Sequence, residues 1–248
     1  IIGGNLLSTM AGEYSFSIAL SLSLVYFGVL ARSLRTGRHR ALAAGLLALV
    51  GLCHLLPFFF ALVLTAVLFA VRPSVGRFKM LAVIGVVAGA LAAFWMLPFY
   101  WYRKFTIDMG FEQLPPSGLG YTDYLFPSRM TWIFLLAAVG VVVALAFRNR
   151  IGQMLIGCVV VTALAFRFMP QIQLWNARIL PFYYLSLMFL AAFGVFGVIF
   201  ALSTLLTRVP GRPNAFVTNG IAVIAVLAAF VFMYRMSEAV EVSAGIRM

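Results

Sequence analysis

Apolar runs of about 20 residues, the length that crosses a hydrocarbon core as a helix, recur along this chain and are separated by short arginine-rich or proline-rich breaks. A barrel would need short alternating strands, so the runs predict an all-α integral membrane fold. Composition agrees: 64% of residues are apolar, 10% are charged and the mean hydropathy is +1.08, outside the range of soluble domains. One run, Ala41 to Val71, is too long for a simple span, at about 46 Å as one straight helix against a core of about 30 Å. Pro57 near its middle removes a backbone donor and biases Leu56 away from helix, and His54 is costly in lipid. Two short helices folded back at His54 to Pro57 are preferred over one tilted span, although each half falls short of a full crossing.

With that hairpin, the spans are Tyr14 to Ala31, Met80 to Trp101, Met130 to Phe147, Ile151 to Met169, Ile179 to Leu206 and Ala215 to Tyr234. The prediction is a polytopic bundle of about six spans plus one Pro-broken hairpin, in a single transmembrane domain over 1–248. Ile1 follows no basic leader, so the chain is expected to be a piece of a longer one. The cluster Arg32 to Arg40 is assigned to the cytoplasm. Arg72, Arg77 and Lys79 return there with the hairpin, and Arg148 and Arg212 follow. Counts of Lys and Arg on the two faces do not choose between hairpin and tilted span.

The formal charge of +12 does not point to nucleic acid, because the 18 Lys and Arg fall in short loops and not on one soluble face. They set orientation and meet anionic lipid. Cys53 and Cys158 lie inside apolar runs with no ligand-like spacing, so neither a disulfide nor zinc is expected. Gly85 and Gly89 have the small-residue spacing that allows close helix approach. No dinucleotide or phosphate-loop motif is present.

The long polar interval Tyr102 to Arg129 holds three of the six carboxylates, Asp108, Glu112 and Asp123. A loop of about 28 residues exceeds what joining two helices needs, so it reads as one wall of a site, or else as a solvated connector. Asp108 and Glu112 share a face if the segment is helical. Together they suit a general base or a divalent-metal site; as ordinary ion pairs with Arg103, Lys104, Arg129 or Arg178 they would look the same. Glu13 stands at a helix start on the same face. Arg178, beside Asn176 and the interfacial Trp175, has the planar donor fork that holds phosphate, or serves as a headgroup anchor. Arg167 either snorkels to the surface or binds an anion. His54 is either a polar group at the hairpin tip or a satisfied packing residue.

Four stretches together resemble actinobacterial membrane proteins of the GT-C glycosyltransferase superfamily. They are Gly12-Glu13-Tyr14-Ser15-Phe16-Ser17; Leu52-Cys53-His54-Leu55-Leu56-Pro57; Phe94-Trp95-Met96-Leu97-Pro98-Phe99 with Asp108-Met109-Gly110-Phe111-Glu112; and Leu174-Trp175-Asn176-Ala177-Arg178-Ile179-Leu180-Pro181. The group most similar is the mycobacterial multispanning envelope proteins labelled 6-pyruvoyl-tetrahydropterin synthase-related, a label that describes no activity. The resemblance implies a plasma-membrane transferase that takes a sugar from a polyprenyl-phosphate carrier on the extracytoplasmic face and passes it to a glycan or glycolipid hydroxyl. In that superfamily the catalytic acid sits in the first outer loop, which would lie upstream of Ile1. Glu13 and Asp108 would then be helpers, with Arg178, Asn176, Glu112, His54 and Trp175 binding substrate. The rival expectation is a non-enzymatic lipid or glycolipid transporter or an envelope assembly partner.

Overall fold

The computed structural model describes residues 14–105, 120–169, 176–207 and 220. Glu13, Asp108, Glu112, Trp175 and nearly all of the expected span Ala215 to Tyr234 lie outside these, as does the side chain of Asn176. The described residues are all-helical, with no strand among them: α1 (Tyr14–Thr36), α2 (Arg40–Cys53), α3 (Leu55–Val71), α4 (Val75–Trp101), α5 (Tyr121–Leu125), α6 (Thr131–Ala146), α7 (Arg150–Phe168) and α8 (Leu180–Thr207). Five helical stretches are long and apolar enough to cross a membrane, and α2 and α3 are shorter apolar helices.

α1 buries Phe16, Ala19, Ser23, Tyr26, Leu30 and Ser33, alternating steps of three and four that make one helical stripe. Gly37 ends it in the left-handed region (φ 71°), returning its N–H to the Ser33 carbonyl at 2.8 Å. The chain reverses there into α2. Its face of Ala43, Ala44, Leu47 and Ala48 is small enough to pack closely between α1 and α4.

The break at the middle of the long apolar run falls on His54, three residues before the proline. His54 is extended (φ −163°, ψ 134°), and its Nδ1 accepts the Leu56 N–H at 3.2 Å. Leu56 is helical, contrary to the bias expected of a residue before proline. Pro57 occupies the first turn of α3, where a missing N–H forfeits no helical hydrogen bond. A histidine cap followed by a first-turn proline therefore starts a new helix without disrupting one.

The new helix runs back. His54 packs edge-on against Phe16 near the start of α1 (5.2 Å), and further along the two helices the Tyr26 hydroxyl meets Thr65 Oγ1 at 2.8 Å. α3 therefore runs parallel to α1, and α2 runs opposite to both. Arg40, Arg77 and Lys79 border one cleft, and Arg77 is within electrostatic reach of Arg72 and Arg150. These cations define a basic end of the bundle, and the hairpin tip lies at the opposite end.

The second half of the bundle is built on glycine. α6 and α8 run side by side with Gly140 and Gly194 at their crossing, where a Cβ on Gly194 would stand 2.7 Å from the Gly140 nitrogen. Gly157 of α7 packs on Val67 of α3 and joins the halves. Gly85 and Gly89, by contrast, face open space. α4 buries only Met80, Ile84, Ala88 and Ala92, chiefly against α2, and the expected glycine pair stands one residue further round the helix. Among the described residues that pair mediates no helix contact. Pro98 stays inside α4, which continues to Trp101, so the aromatic stretch around it is helical.

Candidate functional site

α3, α7 and α8 diverge toward the end opposite the basic one and leave a cleft of about 470 Å³. Its walls include Leu56, Phe60, Val63, Ala165, Ile179 and Phe182. Phe60 stacks on Phe182 at 4.6 Å, which fixes α3 against α8 at the cleft's base. Thr162 is the single hydroxyl-bearing residue among the lining side chains, and its Oγ1 is turned back to the carbonyls of Cys158 (2.6 Å) and Val159 (3.2 Å). The lining side chains therefore offer no free hydroxyl donor to an occupant. Phe59, Leu62 and Val161 at the rim are exposed, so the cleft opens on the flank of the bundle that faces lipid when the helices span a membrane. A volume within the usual range of about 300–1,000 Å³, with walls of this kind, suits an alkyl or isoprenoid chain.

Arg178 and His54 are not among the wall residues, and each is linked to them through a neighbour. Arg178 immediately precedes the wall residue Ile179, in the 3-10 turn Asn176–Ile179 that leads into α8. It is half-buried, with its Nε withdrawn from solvent. His54 reaches the same walls indirectly, through Phe16, whose ring lies 5.2 Å from the imidazole and 5.6 Å from Phe182. Because Nδ1 accepts a backbone N–H, that nitrogen carries no proton in this arrangement, and His54 acts as a helix cap. Arg167 is exposed and lies over the Tyr121 ring at 4.7 Å, the surface position expected of a snorkelling side chain.

The backbone of Asn176 shares the Arg178 turn. Glu13, Asp108, Glu112 and Trp175 lie outside the described residues, and so does any approach of the acids to Arg178. Asp123, the one carboxylate among the described residues, accepts the Gly120 N–H at 2.7 Å and caps α5. Among the described residues no three His, Cys, Asp or Glu side chains gather as a metal site.

Two positioning residues escaped sequence reasoning. The Tyr183 hydroxyl donates to the Leu125 carbonyl (2.9 Å) and the Tyr184 hydroxyl donates to the Tyr124 carbonyl, so consecutive tyrosines of α8 hold α5. Phe166, Ile179 and Leu180 pack beneath with Tyr121 and Tyr124 alongside, which anchors the Arg178 turn. The run Leu180-Pro181-Phe182-Tyr183-Tyr184 was visible only as the start of an apolar span, which carries no sign of the tyrosines' partners.

Fold and cleft together define a class: a helical protein compatible with several membrane crossings, with an apolar side cleft among its described residues. Within that class, no family model, no curated protein and no solved structure matches the chain.

Proposed function

We propose that the chain binds a phosphate-bearing lipid, its chain lying in the α3/α7/α8 cleft and its phosphate on Arg178. The observation that carries this reading is the continuity from Ile179, a wall of an apolar cleft, to the arginine beside it in the chain. An isoprenoid phosphate needs both parts: apolar walls for the chain, and a planar pair of donors for the phosphate oxygens. The resemblance noted in the sequence extends the reading to activity. The chain would then be the membrane module of a GT-C-type glycosyltransferase with about six spans. It would hold a polyprenyl-linked sugar on the extracytoplasmic face of the plasma membrane for transfer to an envelope glycan or glycolipid, with Asn176 and Trp175 flanking the phosphate. Glu13, Asp108 and Glu112 remain the acids proposed to assist, with a divalent metal as an optional partner for Asp108 and Glu112.

Binding of a polyprenyl phosphate to the purified chain in neutral detergent tests the core of the proposal. Arg178→Lys keeps the charge and loses the fork, and about tenfold weaker binding is expected from the loss of one charge-assisted hydrogen bond. Arg178→Ala should weaken binding further. Unchanged affinity in a well-folded Arg178→Ala protein sinks the phosphate role. Binding of the polyprenyl phosphate without any sugar transfer from its glycosylated form turns the reading to a lipid transporter or assembly partner.

A further inference from the structure

A second cleft, of about 260 Å³, lies at the basic end between the last turn of α1, the start of α2 and the first turns of α4. Arg40, Arg77 and Lys79 are among its lining residues, and Leu34, Met80 and Val83 form its apolar part. No described carboxylate faces it, since Asp123 is engaged at the opposite end of the bundle. The Arg40 Nε donates to the Gly37 carbonyl at 3.1 Å, and the Arg77 Nη1 donates to the Arg72 carbonyl at 3.1 Å. Each guanidinium is thereby steadied from one side and keeps further donors.

Ser33 is what separates this cleft from an ordinary basic surface. It is 0% exposed, it lines the cleft, and its Oγ has no hydrogen-bond partner in the protein. Helical hydroxyls ordinarily bond back to a carbonyl of the preceding turn, and Ser21 and Thr36 on the same helix do so, to Ser17 and Arg32. Ser33 does not, although leaving a buried hydroxyl unpaired is costly.

We propose that this cleft binds the phosphate group of an anionic membrane phospholipid, with the Ser33 hydroxyl donating to a phosphate oxygen and Arg40, Arg77 and Lys79 supplying the charge. Free phosphate has the same head chemistry. The apolar part decides for the lipid: Leu34, Met80 and Val83 lead onto the uncovered flank of α4, where Val83 and Val86 are 54% and 72% exposed and give an acyl chain a surface to follow. The site is independent of the cleft at the other end.

Native mass spectrometry of the full chain in neutral detergent, titrated separately with phosphatidylglycerol, phosphatidylcholine and inorganic phosphate, tests it. Phosphatidylglycerol should be retained in preference to phosphatidylcholine. Lys79→Gln and Ser33→Ala should each lower that retention by about tenfold, the effect of one hydrogen bond to a charged group. Because the Ser33 hydroxyl has no partner within the protein, Ser33→Ala without lipid should melt no lower than the parent, which separates lost binding from lost folding. Equal retention of phosphatidylglycerol by parent, Ser33→Ala and Lys79→Gln overturns the site. Inorganic phosphate displacing the lipid at equal concentration overturns the lipid as its source. Equal retention of the two lipids overturns recognition by charge.

Discussion

Replacing Gly194 by alanine adds one methyl group where two helix backbones cross. The new Cβ would stand 2.7 Å from the Gly140 nitrogen and 3.1 Å from its Cα, and it would also collide with the Leu136 carbonyl. All three are backbone atoms, so no rotamer change relieves the clash. Restoring the 3.4 Å at which ordinary contact begins requires the helices to part by about 1 Å, because the Leu136 carbonyl oxygen is the closest of the three. A gap of that size forfeits about a quarter to a half of the attraction of each atom pair it opens. Overpacking costs about 1–3 kcal/mol, and the rigid neighbours place this case near the top of that range. Alanine's better helix propensity returns about 1 kcal/mol, leaving a net loss of about 2 kcal/mol. For a chain of this size that lowers Tm by about 4–8 °C. Gly89→Ala is the matched control: nothing lies within 4 Å of its Cβ position, so Tm should hold or rise. Thermal melting of both variants in the same detergent, followed by tryptophan fluorescence, gives the comparison. Equal Tm changes in the two would refute the glycine seam and, with it, the placement of α8 and the cleft wall it carries.

Other consequences follow from the hairpin. Single cysteines at Thr36 and Ser74 should react with an impermeant maleimide from the same side of the membrane; reaction from opposite sides would replace the hairpin by a single crossing. Thr65 donates to the Ala61 carbonyl at 2.8 Å, so in its contact with Tyr26 the tyrosine is the donor. Tyr26→Phe should therefore cost only about 1 kcal/mol, within the range for interhelical bonds in membranes. Thr65→Val, which strands a fully buried tyrosine hydroxyl, should cost about 1–3 kcal/mol, and urea or thermal unfolding in detergent ranks the two.

The hairpin was legible in sequence because its cause is local. A histidine and a proline three residues apart interrupt an apolar run too long for one span, and the break falls on His54, at the start of the expected interval His54 to Pro57. The cleft was not legible. Its walls come from three helices that are apolar on nearly every face, so periodicity says little about which side of Val63, Ala165 or Phe182 meets protein. The glycines show the same limit: Gly85 and Gly89 have the spacing of a helix contact and face open space, while Gly140 and Gly194, far apart in sequence, make one. Arg178 was visible as a fork of donors at a span's edge. That its neighbour Ile179 lines an apolar cleft is a fact of tertiary packing. Ser33 gave no signal, because an unpaired hydroxyl is recognised only when its surroundings are known.

Photolabelling of the purified chain by a polyprenyl phosphate carrying a diazirine along its isoprenoid chain tests the central claim most directly. The account predicts adducts on Leu62, Val63 and Ala66 of α3 and on Val161 and Ala165 of α7, all lining the cleft, with labelling suppressed by unmodified polyprenyl phosphate and reduced in Arg178→Ala. Absence of adducts on these residues, or cleft labelling that Arg178→Ala leaves unchanged, would contradict it.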